Sequence, residues 1–148
     1  AESLVQPAAL AAAVVAEVVP VTYVRCIFTS PRPGHASVAV EQALVDTGSA
    51  DCELREGLLR QLRPLSTVAR GVVYETVSGR VMHDSYEVLL TVQGRTCATV
   101  VTVTPEERFA ADAEDPNSDE AVIGFAALAA LGLIVDCAGR SISLREGW

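Results

Sequence analysis

Basic side chains are scarce in this sequence. There are 11 against 19 acids, which gives a formal charge of -8 and a pI near 4.7. A surface of that sign repels phosphate backbones, whose binding depends on Lys and Arg displacing counterions, so nucleic acid is not an expected partner. Paired metal ligands are missing too. Cys26, Cys52, Cys97 and Cys137 stand far apart, with no C-x-x-C pair and no adjacent His, which removes a zinc site. Scattered thiols in a domain of this size fit reduced cysteines and an intracellular setting. The two histidines add no chemistry: His35 falls in a Pro-Gly loop and His83 lies beside Asp84. Neither completes a metal site, or a Ser-His-Asp set with Ser49, Ser78 or Ser85, and both read as surface residues. No metal and no cofactor are implied.

An apolar run long enough to cross a membrane is also lacking. The opening AESLVQPAALAAAVVAEVV is broken by Pro7 and meets Glu17, short of the ~20 residues a span needs. It has no basic head of the kind that begins a signal peptide. Residues 1–17 are expected to be an N-terminal extension or linker remnant, and 18–148 the folded domain. The sequence contains no internal repeat, so a duplicated two-lobe chain is not expected. What is present is apolar: half of the 148 residues are hydrophobic and the mean hydropathy is +0.33. That is enough for one domain with a core of its own and too much for a disordered chain.

From Val18 onward, segments rich in Val, Ile, Thr and Tyr alternate with turn signals, the pattern of strands. VVPVTYVRCIF is the first, closed by the Pro-Gly loop TSPRPGHAS, and VAVEQALVD is the second. CELREGLLRQL follows as a short helix or turn. The stretch from Gly71 to Val103 reads as two hairpins, turning at Ser78-Gly79 and at Gln93-Gly94, where glycine supplies the positive φ of a tight turn. The resulting sheet is a mostly antiparallel meander. Seven acids between Glu106 and Glu120 mark a solvated loop. Then come the apolar strand AVIG, a helix over Phe125 to Leu131 capped by Gly132, a buried strand from Leu133 to Asp136, and a last short strand from Ser141 to Leu144. The AALAALG stripe is core, its small residues letting the helix sit close to the sheet.

One polar feature interrupts this core-like text. Asp46-Thr47-Gly48 ends an apolar strand and is followed by Ser49, within ALVDTGSAD. A lone Asp at a strand end is most often a turn former. Together with AVIGFAALAALGLIVD, about 75 residues further on, the motif resembles the retroviral-type (retropepsin-like) aspartic proteases, over a span from Val18 to Leu144. The resemblance implies an all-β fold: a small closed barrel of mostly antiparallel strands, with a flap hairpin and one short C-terminal helix.

It also implies roles. Asp46 matches the catalytic aspartate, and Thr47 the hydroxyl that braces the active-site loop against its partner. Gly48 matches the point where the backbone nears the substrate, and Ser49 the small residue after the triplet. Thr76, Val77, Ser78 and Gly79 fall where the family has its flap, and Ile123 and Gly124 match the pair that packs under the catalytic loop. Hydrolysis by carboxylates needs two of them sharing one proton, because like charges that close cannot both ionise. With a single triplet, the second Asp46 has to come from a second copy, so a homodimer is expected. Its substrate would be a peptide or protein, with no nucleic acid and no membrane. The alternative is a catalytically silent relative acting as a dimerisation or peptide-binding module.

Two departures accompany the resemblance. Retroviral members pair an acid, two residues after the triplet, with an Arg just after the downstream Gly; here those places hold Ala50 and Phe125. Both charges are absent together, and an apolar contact can stand in for them. Ser49 replaces a common Ala, and its hydroxyl is expected to donate to the Asp46 carboxylate, giving a more acidic optimum than in Ser49→Ala.

Overall fold

The structure is a computed structural model that describes residues 22–76, 79–104, 120–136, 139 and 141–144. The strands that open the fold alternate in burial, as period-two side chains do. In β1 (Tyr23–Thr29) Cys26 and Phe28 are buried, and in β2 (Ser37–Asp46) Val38, Val40 and Ala43. The elements that follow are β3 (Cys52–Arg55), α1 (Glu56–Arg60), β4 (Ser66–Thr76), β5 (Gly79–Val92) and β6 (Arg95–Thr104). Then come β7 (Ala121–Gly124), α2 (Phe125–Leu131), β8 (Leu133–Asp136) and β9 (Ser141–Leu144).

Six strands form a ring in the order β1-β2-β7-β3-β6-β5, which a β1–β5 pairing closes. Closure leaves no free sheet edge in the ring. β4 hangs on β5 outside it, and β8 and β9 form a separate two-stranded sheet. Each ring strand sends a fully buried side chain to the core: Phe28, Val40, Ile123, Leu54, Val101 and Leu90. Leu128 and Leu131 of α2 and Leu59 of α1 join the same cluster. This is the closed barrel expected from the resemblance.

The ring is less of a meander than the turn signals suggested. Most pairings are antiparallel, but β2 runs parallel to β7 and β3 parallel to β6. CELREGLLRQL does not begin as a helix: Cys52 and Leu54 are buried while Glu53 and Arg55 are half-buried, so its first four residues are strand and the helix starts at Glu56. Leu133 to Asp136, expected to be buried, alternates instead, and Ile134 is 50% exposed, because β8 lies outside the barrel. Gln93 and Gly94, with φ of 51° and 80°, make the tight turn between β5 and β6. In the other hairpin Thr76 pairs with Gly79, which opens β5 with the positive φ, 110°, expected of it. Val77 and Ser78 lie outside the described residues, as do residues 1–17, the acids before Glu120, and Cys137.

Candidate active site

A break in β2 decides where Asp46 goes. Val24 pairs with Ala43 and Cys26 with Val40, which sets one residue on β1, Arg25, against two on β2, so β2 carries one extra residue at Glu41-Gln42. Both are exposed. A bulge of this kind reverses which face later side chains take. Before it the even positions Val38 and Val40 are buried; after it Ala43 is buried and Asp46 is exposed. With unbroken alternation Asp46 would face the barrel core.

Beyond the strand, the loop folds back on the carboxylate. The Gly48 N–H donates to Asp46 Oδ1 at 2.9 Å, and the Ser49 N–H to the Asp46 carbonyl at 3.2 Å. Thr47 and Gly48 are exposed beside it and Ser49 is half-buried. The Ser49 hydroxyl does not reach the carboxylate. It donates to the Asp51 carbonyl at 3.0 Å, a contact within the loop, so its expected link to Asp46 is replaced by one that shapes the backbone.

The loop is tied down by the end of the chain. Asp46 and Gly124 are partners across the parallel β2–β7 ladder, and Val45 pairs with Ile123, which is fully buried. A Cβ on Gly124 would lie 2.7 Å from the Ser49 carbonyl oxygen and closer still to that of Asp51, so only glycine fits. α2 has no side-chain cap. Its first amides find acceptors in the loop: Phe125 N–H donates to the Ser49 carbonyl at 2.6 Å and Ala126 N–H to that of Ala50 at 3.2 Å. The structure thus brings together Asp46, Thr47, Gly48, Ser49, Ile123 and Gly124. Thr76 and Gly79 stand apart from them, on the β4–β5 arm.

The thiols of the described residues take no part. Cys26 and Cys52 are free and buried. Burial pushes the Cys26 thiol up to about 12 and the Cys52 thiol up to about 11, the opposite of an activated nucleophile. Burial raises Cys97 as well. Among the described residues no group of three or more His, Cys, Asp and Glu is placed to hold a metal ion, and no helix is long and apolar enough to cross a membrane. His35, in its loop, has Nδ1 3.1 Å from the Ser30 carbonyl.

No family model and no curated protein matches the sequence. Among solved structures, the retroviral protease-like domain of Ddi1 from Leishmania major aligns with a TM-score of 0.50 at 18% identity, over 86% of this chain and 90% of that one. The fold is that of a retroviral protease-like domain. The Simian foamy virus protease aligns with a TM-score of 0.44 at 18% identity, over 73% of this chain and 92% of that one.

Two features of this site leave little mark in the sequence. The bulge at Glu41-Gln42 has no glycine to mark it; its one signal is the doubled polar pair inside an otherwise alternating strand. The Asp51 carbonyl, acceptor for Ser49 and neighbour of Gly124, is a backbone group that no side-chain pattern advertises.

Proposed function

We propose that the chain is one subunit of an aspartic endopeptidase, in which the Asp46 carboxylates of two copies share a proton and hydrolyse a peptide bond. One observation carries this reading: a carboxylate is turned out of a barrel strand and held in a single orientation by the Gly48 N–H, on a loop fastened to Gly124 and α2. Asp46 supplies half of what the chemistry needs. In the pair, the ionised carboxylate takes a proton from water as its oxygen attacks the scissile carbonyl carbon, while the protonated one gives its proton to the carbonyl oxygen. The tetrahedral species then breaks its C–N bond as a proton passes to the departing amine.

The other residues follow from the same reading. Thr47 braces the two loops against each other, Gly48 leaves room for a peptide backbone, and Ile123 and Gly124 support the loop from below. The arm around Thr76 and Gly79 acts as the flap that covers an extended substrate.

Peptide cleavage at acid pH by the full chain, compared with Asp46→Asn, tests the proposal. Asparagine keeps an oxygen for the Gly48 N–H, so circular dichroism should not change while turnover falls by about 10³-fold or more. Cleavage that survives the substitution, or that is absent from a dimeric wild type, would leave a binding module in place of an enzyme.

A further inference from the structure

Between α1 and the base of the β4–β5 arm lies a pocket of about 580 Å³, a size typical of small-molecule sites. None of its lining belongs to the Asp46 loop, to β7 or to α2. Leu59, buried, and Leu65, half-buried, give it an apolar interior, while Arg63 and Arg70 stand exposed at its rim. Both walls are fixed by the fold. After α1 the Leu62 and Arg63 amides still donate to the carbonyls of Leu59 and Arg60, and the hydroxyl of Ser30, only 1% exposed, donates to the Pro64 carbonyl. On the opposite wall Thr67 pairs with Tyr86 and Ala69 with Ser85, so β4 carries one extra residue at Val68. Thr67 and Arg70 are three positions apart, and strict alternation would turn them to opposite faces. The bulge sets both against the pocket, beside the half-buried Tyr86.

We propose that this pocket binds a small carboxylate carrying one aromatic or branched apolar body. The body lies against Leu59, Leu65 and the Tyr86 ring, and the carboxylate meets the guanidinium groups of Arg63 and Arg70, whose planar forks match its two oxygens. The Thr67 hydroxyl adds a donor at the same rim. On a chain with a formal charge of -8 most of the surface repels anions, whereas here two cations share one pocket and no acid lines it. One negative charge suits the site better than two. Asp84, fixed by the Gly71 N–H at 3.0 Å, has its other oxygen 3.6 Å from Arg70 and offsets part of that cation, which works against the nearly doubly charged phosphate monoester. Nothing in this site depends on Asp46.

Titration of the full chain with 2-naphthoate at neutral pH, followed by heteronuclear NMR, tests this. 2-Naphthamide serves as the uncharged analogue and 2-naphthyl phosphate as the more highly charged one. The variants are Arg63→Gln, Arg70→Gln and, as a control, Arg25→Gln, whose arginine pairs with Glu41 outside the pocket. The amides of Leu65, Thr67 and Tyr86 should shift saturably with 2-naphthoate, with a dissociation constant of about 1 mM or tighter. Arg63→Gln and Arg70→Gln should each weaken binding about tenfold, and 2-naphthamide should bind about tenfold more weakly or worse. Arg25→Gln should change the affinity less than about twofold. Circular dichroism of the arginine variants should match wild type, because these side chains stand in solvent. Amide and carboxylate binding equally well, or carboxylate binding that both pocket variants leave intact, overturns the anion site. No saturable shift at about 10 mM 2-naphthoate overturns it as well, and tighter binding of the phosphate overturns the choice of a single charge.

Discussion

Asp46 and Gly124 are Cα partners across the parallel β2–β7 ladder, and the space a Gly124 side chain would need is held by the Ser49 and Asp51 carbonyls. The carboxylate is therefore positioned from two sides. Its own strand brings it out of the barrel, and a strand from the end of the chain stops the following loop from moving away. Packing of this kind has no slack, since backbone oxygens cannot swing aside as a flexible side chain can.

Gly124→Ala should accordingly be destructive although it adds a single methyl group. The loop must move or β7 must leave its register, and overpacking against backbone costs about 2–4 kcal/mol. Urea unfolding should show the loss, and peptide cleavage should disappear with it. Ala substituted at Gly94, where nothing lies within 4 Å of the added Cβ, instead pays only for its φ of 80° and should leave cleavage intact. Equal stability of Gly124→Ala and wild type would show that the loop is soft.

How much of this was legible in the residues varies with the kind of signal. Val88, Leu90 and Val92 alternate as buried strand residues should, and the Gln93-Gly94 and Gly132 positions carry their turn and cap chemistry openly. The pairing of β2 with β7 is different, because parallel neighbours so distant in sequence are chosen by the closed barrel and leave no local mark. Cys52 to Arg55 was obscured by the helix formers that follow it. Asp46, Ser49 and Gly124 could be singled out one by one, but which carbonyl the Ser49 hydroxyl meets depends on loop geometry.

The bulge in β2 gives a second prediction. Deleting Leu44, beyond the bulge, turns Val45 outward and puts Asp46 in the core-facing place that Val45 holds. Burying a carboxylate there is expected to cost at least about 3 kcal/mol. Thermal unfolding checks it, with deletion of Gln42 as the reference, because removing the extra residue itself leaves Ala43 facing inward and Asp46 outward. A Leu44 deletion as stable as the Gln42 deletion would mean that the register of β2 is set elsewhere.

For Ser49 the structure reverses the expectation drawn from the sequence. With its hydroxyl on the Asp51 carbonyl at 3.0 Å, Ser49→Ala removes a loop hydrogen bond worth about 1 kcal/mol and leaves the carboxylate's donor, the Gly48 N–H, in place. The pH-rate profile should keep its acid limb while urea stability drops slightly. A profile displaced toward neutral pH would mean that the hydroxyl turns to Asp46 in the proposed endopeptidase.

The buried thiols make stability depend on pH on the alkaline side. An unfolded cysteine ionises near 9.0, whereas burial holds Cys26 to about 12 and Cys52 to about 11. Below pH 9 both thiols carry their proton in either state, and stability does not change on their account. Between the unfolded and folded values the unfolded chain releases protons that the folded chain keeps, so unfolding becomes easier as pH rises. The slope is on the order of 1 kcal/mol per pH unit for each thiol, and it flattens once the folded thiols ionise in turn. Urea midpoints measured from neutral pH upward should hold level and then fall from about pH 9. In Cys26→Ala combined with Cys52→Ala the starting midpoint is lower, because two core side chains are trimmed, but the alkaline fall should be much shallower. Parallel curves for the two proteins would assign the alkaline loss to other groups.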